Sequence, residues 1–353
     1  MARERVLVAM SGGVDSSVAA ALLHEQGFDL VGVTLHLWDA QGEHKVGRCC
    51  APEDRDDARL VCEHLGVPHY TIDSRHDFRA KVVEPFMDAY LAGQTPSPCV
   101  HCNREVKLEE LVSMADDIGA RWIASGHYAR ISHHPDGFRL FRGRDGQKDQ
   151  SYFLYGLPQH ILARLQFPLG SMHKSEVRAA AHRLELPNAH KGESQELCFV
   201  PDGDVAGFIA KERGAQPAGN IRDTSGEILG SHSGLAGFTI GQRRGLALGG
   251  GAARYVLRIL PDSGDVIVGP KEELLADVLN ATEVQWLQRP GTGSFRAYAK
   301  VRYRHTPAPA EVSMTKAGFR LRFDTPQRAI TPGQAVVLYD DERVIGGGLI
   351  AAA

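Results

Sequence analysis

The sequence predicts an α/β protein: an N-terminal doubly wound parallel sheet followed by two small β-rich domains, the last a β-barrel. Three observations predict it. Apolar strand-like runs alternate with helical patterns up to Ser125. Beyond residue 205, Gly-rich turns separate short alternating runs. And 353 residues are too many for one ordinary core.

Arg5–Met10 is an apolar run of strand length. Ser16 to Gly27 reads as a helix, with Val18, Ala19, Leu22 and Leu23 on one face and Gly27 ending it. Leu30–Leu35 is a second strand, Asp54–Leu65 a helix stopped by Gly66 and Pro68, and His69–Ile72 a third strand. A helix from about Lys107 to Ile118 precedes the run Trp122–Ser125. This alternation implies a parallel sheet with helices on both faces. Later runs, among them Tyr255–Ile259, Val266–Val268, Arg296–Arg304 and Ala335–Tyr339, suit small β domains, with a boundary near Pro270 to Val278. The expected domains are 1–205, 206–275 and 276–353.

A formal net charge of −3 argues against bulk attraction to nucleic acid but leaves room for local basic patches. No apolar run approaches the roughly 20 residues that span a bilayer. Met1–Arg5 leads straight into the first strand without a signal peptide, so a cytoplasmic setting with no membrane partner is expected. The six cysteines are Cys49, Cys50, Cys62, Cys99, Cys102 and Cys198. Their clustering in the first part of a chain this size points to redox chemistry or metal binding rather than a secreted disulfide scaffold.

Ser11-Gly12-Gly13-Val14-Asp15-Ser16-Ser17 falls between the first strand and the first helix. Glycines let a backbone approach a ligand closely. The helix that follows offers unpaired N–H groups and a partial positive charge. Serine hydroxyls add donors, and together these make an anion site suited to phosphate. The loop has neither the Gly-Lys-Ser/Thr of a Walker A motif nor the GxGxxG of a dinucleotide fold. Asp15 is a candidate for holding magnesium or orienting the loop. His127, in Ala124–Tyr128, reads equally as a buried satisfied histidine or a catalytic one.

Thr95–Asn103 contains Cys99-Val100-His101-Cys102, a Cys-X-X-Cys pair behind two prolines that hold the loop extended. A helix beginning near Asn103 would lower the pKa of Cys102 at its N-terminus. Cys198 lies in a separate segment, Gly192–Phe199. Cys49, Cys50 and Cys62 are expected to be packing residues.

The phosphate loop resembles the PP-loop of ATP pyrophosphatases, adenine-nucleotide-hydrolase-like enzymes that cleave ATP between the α and β phosphates. The order of further motifs is more specific. The Cys102-Asn103 loop, Lys148–Leu154, Phe167–Gly170, Ser194–Phe199 and Ile240–Arg243 follow one another as in the tRNA-specific 2-thiouridylases, over nearly the whole chain. The resemblance implies ATP, with Mg2+, held by Ala9, Met10, Ser11, Gly12, Gly13, Val14, Asp15, Ser16, Leu35 and Gly126. It implies that ATP adenylates the C2 oxygen of the wobble uridine of tRNA. A donor protein charges Cys198 with a persulfide, whose outer sulfur attacks C2. Cys102 then acts as the second catalytic cysteine and ends in a disulfide with Cys198.

Many members carry Asp where this chain has Cys99, as the proposed general acid/base; a thiol is a poor substitute. A second subgroup has Cys there, and Cys99, Cys102 and Cys198 would then leave one open position on an iron–sulfur cluster that delivers sulfide. Persulfide relay and cluster both remain open at this point, as does a structural zinc on these cysteines and His101.

Two basic stretches are candidate RNA contacts: Arg139, Arg142, Arg144 and Lys148, and then Arg302, Tyr303, Arg304 and His305. Either run alone reads as a solvated face. The resemblance raises Lys148, Asp149, Gln150, Arg302 and Tyr303 as tRNA contacts and lays Ser97, Pro98 and Cys99 against the target base. Two other readings compete. A PP-loop amidotransferase-type synthetase would adenylate a small molecule and needs no trio of cysteines. A metal-bearing RNA-binding protein without catalysis needs no PP-loop.

Overall fold

The structure is a computed structural model that describes residues 3–39, 52–192, 197–200, 202–249, 251–291 and 293–352. It forms two compact units. One comprises Met1–Val83, Cys99–Asp202 and Glu342–Val344; the other comprises Glu84–Pro98, Gly203–Asp341 and Ile345–Ala353.

The first unit carries seven short strands used below: β1 (Arg5–Ala9), β2 (Asp29–His36), β3 (His69–Asp73), β4 (Trp122–Ala124), β5 (Ala129–His134), β6 (Gly137–Arg142) and β7 (Leu165–Gln166). Five form a parallel sheet in the order β3-β2-β1-β4-β7. β1 is central, which is why its apolar run is unbroken: a strand covered on both faces has no polar side. Val6 and Val8 share one core with residues of α1 (Val14–Glu25), α2 (Pro52–Leu65) and the helix Lys174–Arg183, among them Val18, Val61 and Val177. Leu7 points the other way and is also fully buried. The helix Leu108–Asp117 packs on β1 and β4, with Leu111 and Ala115 buried, and covers that face. The doubly wound sheet is therefore present.

α1 begins at Val14 rather than Ser16 and is buried almost all round, because its apolar positions are small alanines and valines. Cys62 is a packing residue as expected: burial pushes its thiol up to about 11, and its sulfur lies against Gly32. Cys49 and Cys50 lie outside the described residues. β5 and β6 pair as a hairpin that the sequence reading did not separate from the helix and loop patterns around it.

The second unit holds a four-stranded sheet and a barrel. The sheet runs Tyr255–Leu260, Asp265–Gly269, Gly219–Asp223, Ile228–His232, around a core of Ile221, Phe238, Val256, Val266 and Val268. The helix Val205–Arg213 precedes it, its N-terminus capped by Asp204, which accepts from the Gly207 N–H at 2.9 Å. An interior Gly207 hid this helix from pattern reading. The barrel has six strands and closes where Leu275–Trp286 pairs with both Phe319–Arg328 and Arg343–Ile350. Phe319, Leu321 and Phe323 alternate inward with Arg320 and Arg322 outward, the period of a strand with one wet face. Among the described residues no helix is long and apolar enough to cross a membrane.

Candidate nucleotide and sulfur-transfer site

β1 lies between β2 and β4, so the chain leaves its carboxyl end at the point where strand order reverses. Open α/β sheets bind ligands in that crevice. The loop after Ala9 and the residue Gly126 after β4 both fall there. They touch: a Cβ on Gly126 would stand 2.7 Å from the Asp15 carbonyl carbon and the Ser16 nitrogen. Gly126 thus lets the β4 loop lie directly on the first turn of α1. Leu35 stands near the carboxyl end of β2, paired with Ile72.

The loop is held by its own backbone and serines. The Met10 N–H donates to the Val33 carbonyl at 2.7 Å, and the Met10 carbonyl accepts from the Thr34 hydroxyl at 2.7 Å. The Met10 and Val14 side chains are core, so these two face the loop only through backbone. Ser16 Oγ donates to the Gly13 carbonyl at 3.0 Å and accepts from the Ser11 N–H at 3.2 Å. Ser17 Oγ also donates to the Gly13 carbonyl, at 3.0 Å. Gly12 has a left-handed φ of +74°, and a Cβ there would fall 1.9 Å from the Asp54 carbonyl oxygen. Gly13 is different: an added Cβ would meet nothing nearer than Ser11 Oγ at 3.5 Å. One glycine is pressed on α2 and the other faces open space at the N-terminus of α1. That leaves a cradle a phosphate fits, with the first-turn N–H groups behind it.

Asp15 accepts from Lys174 Nζ at 2.6 Å and from the Tyr128 hydroxyl at 2.8 Å. These bonds tie the first turn of α1 to two segments far along the chain. The ammonium of Lys174 also lies 6.0 Å from the centre of the Tyr128 ring. Neither partner was singled out from sequence. Lys174 is the first residue of its helix, where the dipole disfavours a cation, and that mismatch was a usable signal. Asn188 and Lys191 were also missed: both donate to the Gly12 carbonyl, at 3.0 and 3.1 Å.

The cysteine loop departs from expectation. Its helix starts at Pro98, not near Asn103, continues through a π-helical stretch Cys102–Lys107, and becomes Leu108–Asp117. A proline in the first helical turn has the right φ and needs no N–H partner, so Pro98 opens the helix instead of extending the loop. Cys102 therefore sits a turn inside rather than at the N-terminus, and the argument for dipole activation shifts toward Cys99. Cys99 is exposed, Cys102 buried and Cys198 half-buried. Among the described residues no group of three or more His, Cys, Asp or Glu is arranged to hold a metal. The expected ligand set of Cys99, Cys102 and Cys198, and the zinc set with His101, are not among such groups; Cys99 is exposed while Cys102 is buried. Cys198 is placed by its neighbour. The Phe199 ring meets Phe78 at 5.7 Å and Trp38 at 6.3 Å, both edge-on, and Trp38 follows the carboxyl end of β2.

His127 donates to or accepts from Ser125 Oγ at 2.7 Å and meets the Phe167 ring edge-on at 5.7 Å. Burial, with the charge of Lys107 beside it, pushes its pKa down to about 3, so it is a neutral imidazole.

The candidate RNA contacts divide. Asp149 is buried and accepts from the N–H groups of Gly143 and Ser151 and from Arg142 Nε, each at 3.1 Å. Gln150 Oε1 accepts from the Tyr128 N–H at 2.9 Å. Both side chains hold the loop, and Lys148 between Gln147 and Asp149 is only half-buried. In the second unit, Arg302 donates to the carbonyls of Ile240 and Ala329 and to the Thr331 hydroxyl, at 3.1, 2.7 and 2.5 Å. Tyr303 lies with the Lys300 ammonium 5.6 Å from its ring centre. Ser97 and Pro98 are buried.

Three family models match the chain in succession. They are the tRNA methyl transferase HUP domain over residues 4–202, the tRNA methyl transferase PRC-barrel domain over 206–270 and the aminomethyltransferase beta-barrel domain over 276–350. A tRNA-specific 2-thiouridylase MnmA from Geobacter metallireducens is 49% identical over 362 residues, covering 100% of this chain and 98% of that protein. The chain belongs to the tRNA-specific 2-thiouridylases. Two further 2-thiouridylases agree: that of Sorangium cellulosum is 49% identical over 99% of this chain and 92% of its own length, and that of Geotalea uraniireducens 45% over 99% and 96%. As a 2-thiouridylase it is a tRNA sulfurtransferase.

Proposed function

We propose that this chain transfers sulfur to C2 of the wobble uridine of tRNA through an adenylated intermediate. The observation that carries the reading is the full-length match to proteins named tRNA-specific 2-thiouridylase at 49% identity. ATP, with Mg2+, occupies the cradle of Ala9 to Ser16, with Leu35 and Gly126 at its sides. The uridine C2 oxygen attacks the α phosphorus and pyrophosphate leaves. A donor protein has placed a sulfur on Cys198 as a persulfide. Its terminal sulfur attacks C2, and AMP departs with the former C2 oxygen. The Cys102 thiolate attacks the Cys198 sulfur, and the S–S bond between that sulfur and the uridine breaks. The transferred sulfur keeps the electron pair and becomes the 2-thio group, while Cys102 and Cys198 are left as a disulfide for a thiol to reduce.

The persulfide relay is preferred to a cluster because Cys99 is exposed, Cys102 is buried, and the two form no metal-holding group with Cys198 among the described residues. Lys148 and Tyr303 are the preferred tRNA contacts, whereas Asp149, Gln150 and Arg302 shape the surfaces that carry them. Cys99, with Ser97 and Pro98 before it, lies beside the target base. A cytoplasmic setting and the three domains 1–205, 206–275 and 276–353 belong to the same reading.

Reconstitution with ATP, unmodified tRNA and a persulfide donor tests it. Pyrophosphate release and 2-thiouridine by mass spectrometry are the readouts. Asp15→Ala loses both; Cys198→Ala keeps pyrophosphate release and loses the thio product. Full thiolation by Cys198→Ala would refute the relay.

A further inference from the structure

Gly12 and Gly13 share one peptide plane, and two side chains from far along the chain fix its orientation. The Gly12 carbonyl accepts from Asn188 Nδ2 at 3.0 Å and from Lys191 Nζ at 3.1 Å. In a trans peptide the carbonyl and the following N–H point in opposite directions. A Gly12 carbonyl held toward Asn188 and Lys191 therefore turns the Gly13 N–H toward the Ser11 hydroxyl, 3.4 Å away, and the open side of the loop.

The clamp is built with care for its own charges. Lys191 also donates to the carboxylates of Asp54 and Asp57 on α2. Its side chain is 10% exposed and that of Asp54 is 5% exposed, so the ammonium is held in place by a buried partner. Burial works to lower the pKa of Lys191, but the hydrogen bonds to Asp54 and Asp57 outweigh it and hold the ammonium above its ordinary value. Asn188 donates a second bond, to Ser17 Oγ at 2.9 Å, and so grips the loop at both ends. The Asp54 carbonyl excludes any side chain at Gly12, which keeps the left-handed turn that makes this peptide orientation possible. A cation on the carbonyl also polarises the peptide and strengthens its N–H as a donor.

We propose that Asn188 and Lys191 are positioning residues for the pyrophosphate that leaves during adenylation: they act through the Gly12–Gly13 peptide, aiming its N–H at the phosphate oxygens. The inference rests on the nucleotide reading of the loop. It assigns the two residues no contact with ATP. Their effect is specific to ligands that carry the β and γ phosphates, since AMP leaves that part of the cradle empty.

The test measures binding of ATP, inorganic pyrophosphate and AMP to the full chain by calorimetry. The variants are Asn188→Leu and the double variant Lys191→Met with Asp54→Asn, which strands no buried carboxylate when the ammonium is lost, since Asp57 is 32% exposed and stays solvated. Each variant is checked for native melting, and either one folded suffices. The expected result is that ATP and pyrophosphate bind roughly 10-fold to 100-fold more weakly, the effect of one misaimed donor to an anion, while AMP binds as in the wild type. Wild-type pyrophosphate affinity in a folded variant overturns the proposal, as does an equal loss for AMP, which would mark general disruption. Failure of the wild type itself to bind ATP and pyrophosphate overturns the nucleotide reading, and the positioning role with it.

Discussion

The Lys174 ammonium stands 2.6 Å from the Asp15 carboxylate although 159 residues separate them. It joins the start of the helix Lys174–Arg183 to the phosphate loop, and the Tyr128 hydroxyl completes the arrangement from the loop after β4.

Lys174→Met should slow ATP- and tRNA-dependent pyrophosphate release by roughly 10-fold or more, because Asp15 loses the partner that orients it. The stability cost should be about 1 kcal/mol or less, since Asp15 is 35% exposed and the pair is partly screened. Pyrophosphate assays beside urea unfolding check this. A loss of activity no greater than the loss of folded protein would contradict it.

Phe199→Leu should separate the two half-reactions. The ring fills a fully enclosed position between Trp38 and Phe78, and shortening it costs about 1–2 kcal/mol. Cys198 is the adjacent residue, so thiolation should fall several-fold while pyrophosphate release holds. Equal loss of both would mean that Phe199 supports the whole unit rather than the cysteine.

Asp149→Ala should behave as a folding mutation. It strands two backbone N–H groups and Arg142, at a cost of about 3 kcal/mol. Lys148→Ala should leave stability within about 0.5 kcal/mol and weaken tRNA binding. Chemical denaturation and tRNA titration at fixed salt distinguish the two; a destabilised Lys148→Ala or an undisturbed Asp149→Ala would reverse the assignment.

His127 sets an acid limit on stability. Its folded pKa, near 3, lies below the unfolded value of about 6.5, so the unfolded chain binds the proton more readily. The stability from keeping this imidazole neutral is complete above about pH 6.5 and is lost as pH falls toward 3. Between pH 7 and pH 5 the loss should reach about 2 kcal/mol and should vanish in His127→Asn. A wild type and variant with parallel pH profiles would exclude the effect.

The doubly wound sheet was legible because β1 carries an unbroken apolar run, β2 is mostly apolar over strand length, and a Gly/Ser loop sits where a strand gives way to a helix. Gly126 came instead from the resemblance to the PP-loop enzymes, and it lies just past the end of β4. The residues that support the loop were not legible. Lys174, Asn188 and Lys191 reach it from 159, 176 and 179 residues away, and no periodicity records a contact made across folded space. Asp149 and Arg302 show the converse. They look like surface charges in a basic stretch, but each makes two hydrogen bonds to backbone groups and one to a side chain of the fold around it. The start of the cysteine helix was misplaced for a local reason: Pro98 reads as a breaker by composition and acts as an initiator by position.

The six residues Cys102–Lys107 wind more widely than the helix that follows them. A π turn holds more chain per revolution than an α turn. Tightening it by one residue would keep the helix continuous yet swing everything before it by about 100° around the axis. The thiol that opens this segment therefore stands where the winding is widest, and the bearing of Cys99 and Pro98 around the axis is set by that one extra residue.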